Sequence, residues 1–250
     1  MFVRWTTPAR GTMRLALLPH ISRSWRFAPS CSAYSSAPST RSATETVPSI
    51  GSARSSDTVE VSQLEERHPL VDEIIRVDLA GELAAKHIYL SQLAAHRGTE
   101  EGRQQLQEML EHELEHLRYF EEAIPRARAR PSVLNPLWQG LASALGTVSA
   151  LAGEKASFLT TAAVEEVIVE HYSSQIEALD KEIAAGNQSP ELERYLNELR
   201  QRVTKFRDEE DHHRQTGEDH GGSDLTPLDS LARWTISTGC RVAIHVATKL

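Results

Sequence analysis

An all-α fold, a four-helix bundle with a dinuclear metal core and further apolar or amphipathic helices beside it, is what this 250-residue chain predicts. Three observations carry the expectation. Between residues 70 and 216 the apolar positions recur at helical spacing, and no run alternates strictly enough to read as a strand. The chain also repeats itself: Tyr89, Ser91, Gln92 and Leu93 follow Glu82 at offsets of 7, 9, 10 and 11, and Tyr172, Ser174, Gln175 and Ile176 follow Glu165 at the same offsets. Each copy is then followed by a helix with a Glu-x-x-His pair, Glu113/His116 after the first and Glu210/His213 after the second.

The elements follow in order. Residues 1–44 hold Arg4, Arg10, Arg14, Arg23, Arg26 and Arg41, many Ser and Thr, and no acid before Glu45. That is the composition of a mitochondrial transit peptide, taken here as residues 1–45. Without its six arginines the formal charge of −8 becomes −14, which makes nucleic acid an unsuitable partner. Cys31 goes with the leader, so Cys240 has nothing to pair with, as suits a reducing compartment. Residues 46–68 are rich in Ser, Pro and Gly and then in charge, and read as a linker. A domain over residues 69–250 follows.

Its first helix spans residues 70–96 and carries Glu82. Gly98 breaks it, and Thr99 before Glu100 and Glu101 caps a second helix to about Ala123, carrying Glu113 and His116. Pro125 and Pro131, with arginines between, suggest an irregular basic connection. Residues 131–153 are uncharged, but Asn135, Pro136, Gln139 and several Ser, Thr and Gly make them too polar for a span, so a buried or membrane-surface helix is expected. A fourth helix over residues 154–186 carries Glu165, and a fifth over residues 190–216, ended by Gly217, Gly221 and Gly222, carries Glu210 and His213. The last segment, residues 225–250, is apolar and basic, with Arg233, Arg241 and Lys249.

Glutamate and histidine three residues apart share a helix face, and together they aim hard oxygen and borderline nitrogen donors at one point, a set suited to iron or manganese. Two helix pairs packed antiparallel would bring one Glu from each of two helices and a Glu-x-x-His from each of the others into the core, the ligand set of di-iron and di-manganese carboxylate proteins. The six candidates are Glu82, Glu113, His116, Glu165, Glu210 and His213. One register stays open: Glu209/His212 is also a Glu-x-x-His pair. Glu166 adjoins Glu165, and the repeat offsets favour Glu165. Tyr89 and Tyr172 read equally as pocket lining or core packing, and His87 and His171 as supporting or interfacial residues. No Gly-rich phosphate loop or serine elbow is present, which argues against nucleotide-fold dehydrogenases and hydrolases.

The segments Ile74-Ile75-Arg76-Val77-Asp78-x-Ala80-Gly81-Glu82, Pro136-Leu137-Trp138, Ala163-Val164-Glu165-Glu166, His171-Tyr172, Phe206-Arg207-Asp208-Glu209-Glu210 and Gly239-Cys240-Arg241-Val242-Ala243-Ile244 resemble the mitochondrial demethoxyubiquinone hydroxylases of the Coq7/Clk-1 family. The resemblance covers residues 69–250 and departs from the family pattern in residues 186–195 and at Asp211-His212. It implies a ferritin-like bundle with two iron ions held by the six residues above. It further implies hydroxylation of a demethoxyubiquinone ring with dioxygen, with NADH as a candidate reductant. The place implied is the matrix face of the inner membrane, beside a Coq9-type lipid-binding partner and the quinone-biosynthetic complex. Two rival expectations remain: a ferritin-like ferroxidase or peroxide scavenger using the same ligands, and a non-catalytic helical scaffold holding no iron.

Overall fold

The computed structural model describes residues 63–221 and 225–249, so the leader and most of the linker lie outside the described residues. Six helices and no strand are found among the described residues: α1 Pro69–Ala95, α2 Glu100–Ala127, α3 Asn135–Ala152, α4 Glu154–Ala185, α5 Pro190–Gly221 and α6 Pro227–Ala247. Short connections force α1 and α2, and again α4 and α5, into antiparallel hairpins, and the two hairpins pack together as the bundle. α3 lies on α1 and α4, and α6 on α4 and α1.

Sequence chemistry explains the ends. Thr99 caps α2 by accepting from the Gly102 N–H, and Thr226 with Asp229 forms a reciprocal capping box at the start of α6. Gly186, at φ 65°, closes α4 in a left-handed turn that glycine adopts without strain.

The bundle is filled by apolar side chains, with Ile75, Phe120, Leu179, Leu199, Val203 and Phe206 fully buried in one cluster. Each contributes on the order of 1.5–3 kcal/mol by leaving water. Leu64, in the stretch that composition reads as linker, joins that cluster at 4% exposure and donates its backbone N–H to the Arg126 carbonyl.

Two helix ends differ from expectation. α2 runs past Ala123 to Ala127, because Pro125 sits in the last turn, where a lost N–H removes one hydrogen bond without breaking the helix, and Arg128 at φ 54° supplies the stop. α5 continues through Gly217 to Gly221. These glycines let two backbones approach: a Cβ on Gly217 would lie 2.8 Å from the Ala162 nitrogen, and one on Gly221 3.0 Å from that of Leu159.

No described helix is long and apolar enough to cross a membrane. α3 instead buries a narrow face of small residues, Ala142, Gly146, Ser149 and Ala150, and turns Leu137, Leu141, Val148 and Leu151 outward. α6 does the same with Leu228, Leu231, Trp234 and Val242, all more than half exposed. The basic residues of α6 are less free than their sequence suggests: Arg233 pairs with Glu166 and Glu218, and Arg241 with Glu170.

Candidate metal centre

The bundle brings the six predicted residues together, each at most 3% exposed. Glu82 comes from α1, Glu113 and His116 from α2, Glu165 from α4, and Glu210 and His213 from α5. They form two overlapping quartets, Glu82/Glu113/His116/Glu210 and Glu113/Glu165/Glu210/His213, and within each quartet the donor atoms lie within 4.8 Å of one another. Glu113 and Glu210 belong to both. The open register is resolved in space: Glu210 and His213 face the core, while His212 is exposed and Glu209 lies at the edge. Glu166 likewise turns out to Arg233.

The duplicated sequence is read out crosswise. Tyr89 on α1 donates to Oε1 of Glu165 on α4 at 2.8 Å, and Tyr172 on α4 donates to Glu82 on α1. The two imidazoles are also held crosswise. His116 turns Nδ1 toward Glu210 Oε1 at 2.9 Å and Glu82 Oε2 at 3.6 Å, while its Nε2 is hydrogen-bonded with Glu209 at 2.9 Å. His213 turns Nδ1 toward Glu210 and Glu113, and its Nε2 is 3.0 Å from Nδ1 of His112. The residue preceding each paired glutamate therefore grips the opposite histidine, the arrangement by which metal-binding imidazoles are oriented. Glu209 enters the sequence reading only as half of the rival Glu209/His212 register, and His112 is given no role there; the position before each Glu-x-x-His is the signal that marks both for this role.

Four buried carboxylates facing two imidazoles leave an electrostatic imbalance. Burial pushes the Glu113 carboxyl well above its usual range, reinforced by Glu210, Glu82 and Glu165, and burial followed by Glu210 lifts Glu165 to about 8. Burial opposes ionisation of Glu210 too, but the imidazoles of His116 and His213 hold it down at about 2. Burial disfavours charge on His116, yet Glu210 and Glu82 raise it to about 12. Glu82 Oε2, Glu113 Oε1 and His116 Nδ1 are buried without a hydrogen-bond partner, Nδ1 being close to Glu210 but out of line with it. Such atoms are rare in folded proteins and costly. Convergent hard donors with unmet valence fit first-row metal ions, and the two quartets fit two of them.

A cavity of about 610 Å³ adjoins the centre. Glu82, Glu113, Glu165 and Glu210 line one part of it, Trp138, Leu141 and Leu145 of α3 another, and Ile236, Val242 and Ile244 of α6 a third. Leu141 and Val242 are also more than half exposed, so the cavity reaches the surface between α3 and α6. His171 lines both it and a second cavity of about 420 Å³. It is held by the buried Asp78 and by Gln175, both 3.2 Å or less away, a supporting role of the kind its sequence position suggested. His87, the other such candidate, meets Ser143 of α3.

A helical bundle in which two helices each give one glutamate and two others each give a Glu-x-x-His pair is the architecture of the ferritin-like dinuclear carboxylate proteins. Within that class the chain belongs to the family of ubiquinone biosynthesis protein COQ7, whose family model matches residues 69–247. It is 42% identical over 180 residues to the human protein named NADPH-dependent 3-demethoxyubiquinone 3-hydroxylase, mitochondrial, covering 72% of this chain and 78% of that one. The Caenorhabditis elegans protein of the same name is 40% identical over 184 residues, 74% of this chain and 92% of the relative. A Saccharomyces cerevisiae protein named 5-demethoxyubiquinone hydroxylase, mitochondrial, is 35% identical over 190 residues, 72% of this chain and 78% of the relative.

Proposed function

We propose that the chain is an oxygen-dependent monooxygenase that hydroxylates the ring of a demethoxyubiquinone intermediate in ubiquinone biosynthesis. The observation that carries this is the apolar cavity running from the four carboxylates to the surface between α3 and α6. A ferroxidase would need the same six residues but no such cavity, and a scaffold would need neither. Glu82, Glu113, His116, Glu165, Glu210 and His213 would hold two iron ions, which would supply dioxygen activation when bound. One oxygen atom enters a ring C–H bond and the other leaves as water, with two electrons from a reduced nicotinamide. NADH is what the family resemblance implies, and the human and worm relatives carry NADPH in their names.

The chain's own groups then have definite tasks. Tyr89 and Tyr172, whose phenols burial holds in the protonated form, fix the oxygens of Glu165 and Glu82. Glu209 and His112 keep both Nδ1 atoms turned inward. The apolar walls admit a ring with its polyprenyl tail and exclude water, which strengthens each polar contact at the centre. Turnover of a short-tail demethoxyubiquinone with a reduced nicotinamide, dioxygen and iron tests the reading. Formation of the hydroxylated quinone is expected, and iron oxidation without quinone hydroxylation would overturn it.

Residues 1–45 act as the mitochondrial leader and 46–68 as a linker, anchored near its end by the buried Leu64, to the catalytic domain over 69–250, which sits on the matrix side of the inner membrane. A Coq9-type lipid-binding protein and the quinone-biosynthetic complex are the proposed partners. The outward apolar residues of α3 and α6 provide the membrane contact. Because Arg233 and Arg241 are already paired with acids of the bundle, area rather than charge drives it. Flotation of the leader-deleted protein should therefore succeed with neutral phosphatidylcholine vesicles and survive about 0.5 M salt, where the screening length falls to a few ångströms. Recovery wholly in the soluble fraction would refute the membrane contact.

A further inference from the structure

Glycine inside a helix destabilises it relative to alanine, because the unfolded chain gains backbone freedom and no side chain packs. Gly146 and Gly217 have a packing reason to be glycine: a Cβ on the first would strike the Ile88 carbonyl oxygen, and one on the second would press on the α4 backbone. Gly81 has no such reason. It stands mid-way along α1, is not among the positive-φ glycines, and a Cβ built on it meets nothing within 4 Å. The space left open adjoins the cavity, which Gly81 lines together with Val77, Ala84 and Ala85 of the same helix. Its neighbour Glu82 lines the cavity too, with Oε2 buried and without a partner.

We infer that Gly81 is a specificity-determining residue, keeping a side-chain-free strip of α1 beside Glu82 against which the flat ring of a quinone lies at the carboxylate end of the cavity. The inference rests on the hydroxylase reading and says which wall the ring uses. A Cβ would bring that wall forward by about 1.5 Å, a large fraction of the roughly 3.5–4.0 Å at which carbon surfaces pack. A ring displaced by that amount loses its near-attack position.

Gly81→Ala and Gly81→Leu in the leader-deleted, iron-loaded protein test this. Alanine should raise the melting temperature by about 2–4 °C and leave iron content unchanged, while kcat/KM for a short-tail demethoxyubiquinone falls about tenfold. Leucine should lower it more than about a hundredfold at unchanged iron content. Wild-type kcat/KM in both variants would overturn the inference, and so would loss of iron and of melting temperature in both, which would make Gly81 structural. If the wild-type protein does not hydroxylate the quinone, the hydroxylase reading fails separately. Binding of the same quinone, followed by quenching of Trp138 fluorescence in a Trp234→Phe background, then decides on Gly81: quenching retained in Gly81→Leu overturns the proposal, and quenching lost supports it.

Discussion

Glutamine at Glu113 is expected to cut bound iron from two per chain to near zero, to lower hydroxylation by more than about a hundredfold, and to leave the metal-free protein as stable as wild type or more so. Glu113 belongs to both quartets of donor atoms, so its replacement weakens both metal positions at once. Its Oε1 is also buried without a hydrogen-bond partner, and burial, reinforced by Glu210, Glu82 and Glu165, already favours the protonated carboxyl. An isosteric neutral amide therefore costs the metal-free core little beyond the 3.3 Å contact with His213, whose Nδ1 keeps Glu210 at 2.9 Å. Glu210→Gln makes the informative contrast. Glu210 is likewise shared by both quartets, but it is ionised between His116 and His213, and breaking a buried pair costs about 3–5 kcal/mol. Metal analysis and calorimetry on the two variants should agree on lost iron and disagree on metal-free stability. A scaffold protein predicts the opposite for iron, with the wild type already metal-free and Glu113→Gln indistinguishable from it.

Much of the fold and of this constellation was legible because both rest on periodicity. Helical spacing of apolar residues gave six helices, and the offset of 7 that repeats Tyr89 as Tyr172 turned out to be a structural rule, each tyrosine binding the glutamate of the other copy. Between Glu209/His212 and Glu210/His213 the pattern alone did not decide; α5 decides it in space, because its apolar stripe through Leu199, Val203 and Phe206 sets which residue seven on from Val203 faces inward. What stayed hidden depends on partners distant in sequence. Gly217 and Gly221 look like helix terminators until α4 is seen pressed against them. Arg233 and Arg241 look like a basic membrane-facing helix until Glu166, Glu218 and Glu170 are seen to engage them. Glu209 looks like a rival ligand and His112 like an incidental neighbour of Glu113, since only the crossing of α2 with α5 hands each the opposite imidazole. The cavity is the extreme case, being formed by what several helices leave unfilled.

The electrostatic imbalance of the core makes the response to pH depend on metal. In the metal-free protein Glu165 titrates near 8 against 4.5 for an exposed glutamate, and Glu113 titrates well above its usual range. Between pH 5 and 8 the native state therefore holds protons that the unfolded chain has released, so stability present below about pH 4.5 is lost as pH rises, by up to about 1.4 kcal/mol per unit for each such group. His116, raised to about 12, and His213, also raised, act in the same direction above about pH 6.5. Glu210, held at about 2, acts in the opposite sense, but only as pH falls below about 4.5. Metal inverts the dependence, because binding requires ionised carboxylates and neutral imidazoles and so releases protons. The melting temperature of metal-free protein should fall by several degrees from pH 5 to 8, while the gain on loading with iron(II) under anaerobic conditions, or with manganese(II), widens over the same range. Titration calorimetry in buffers of different ionisation enthalpy should count the protons released on loading. A gain in melting temperature that stays constant across this pH range would mean that the buried carboxylates are not what the metal displaces protons from, and would remove the six-residue centre as its site.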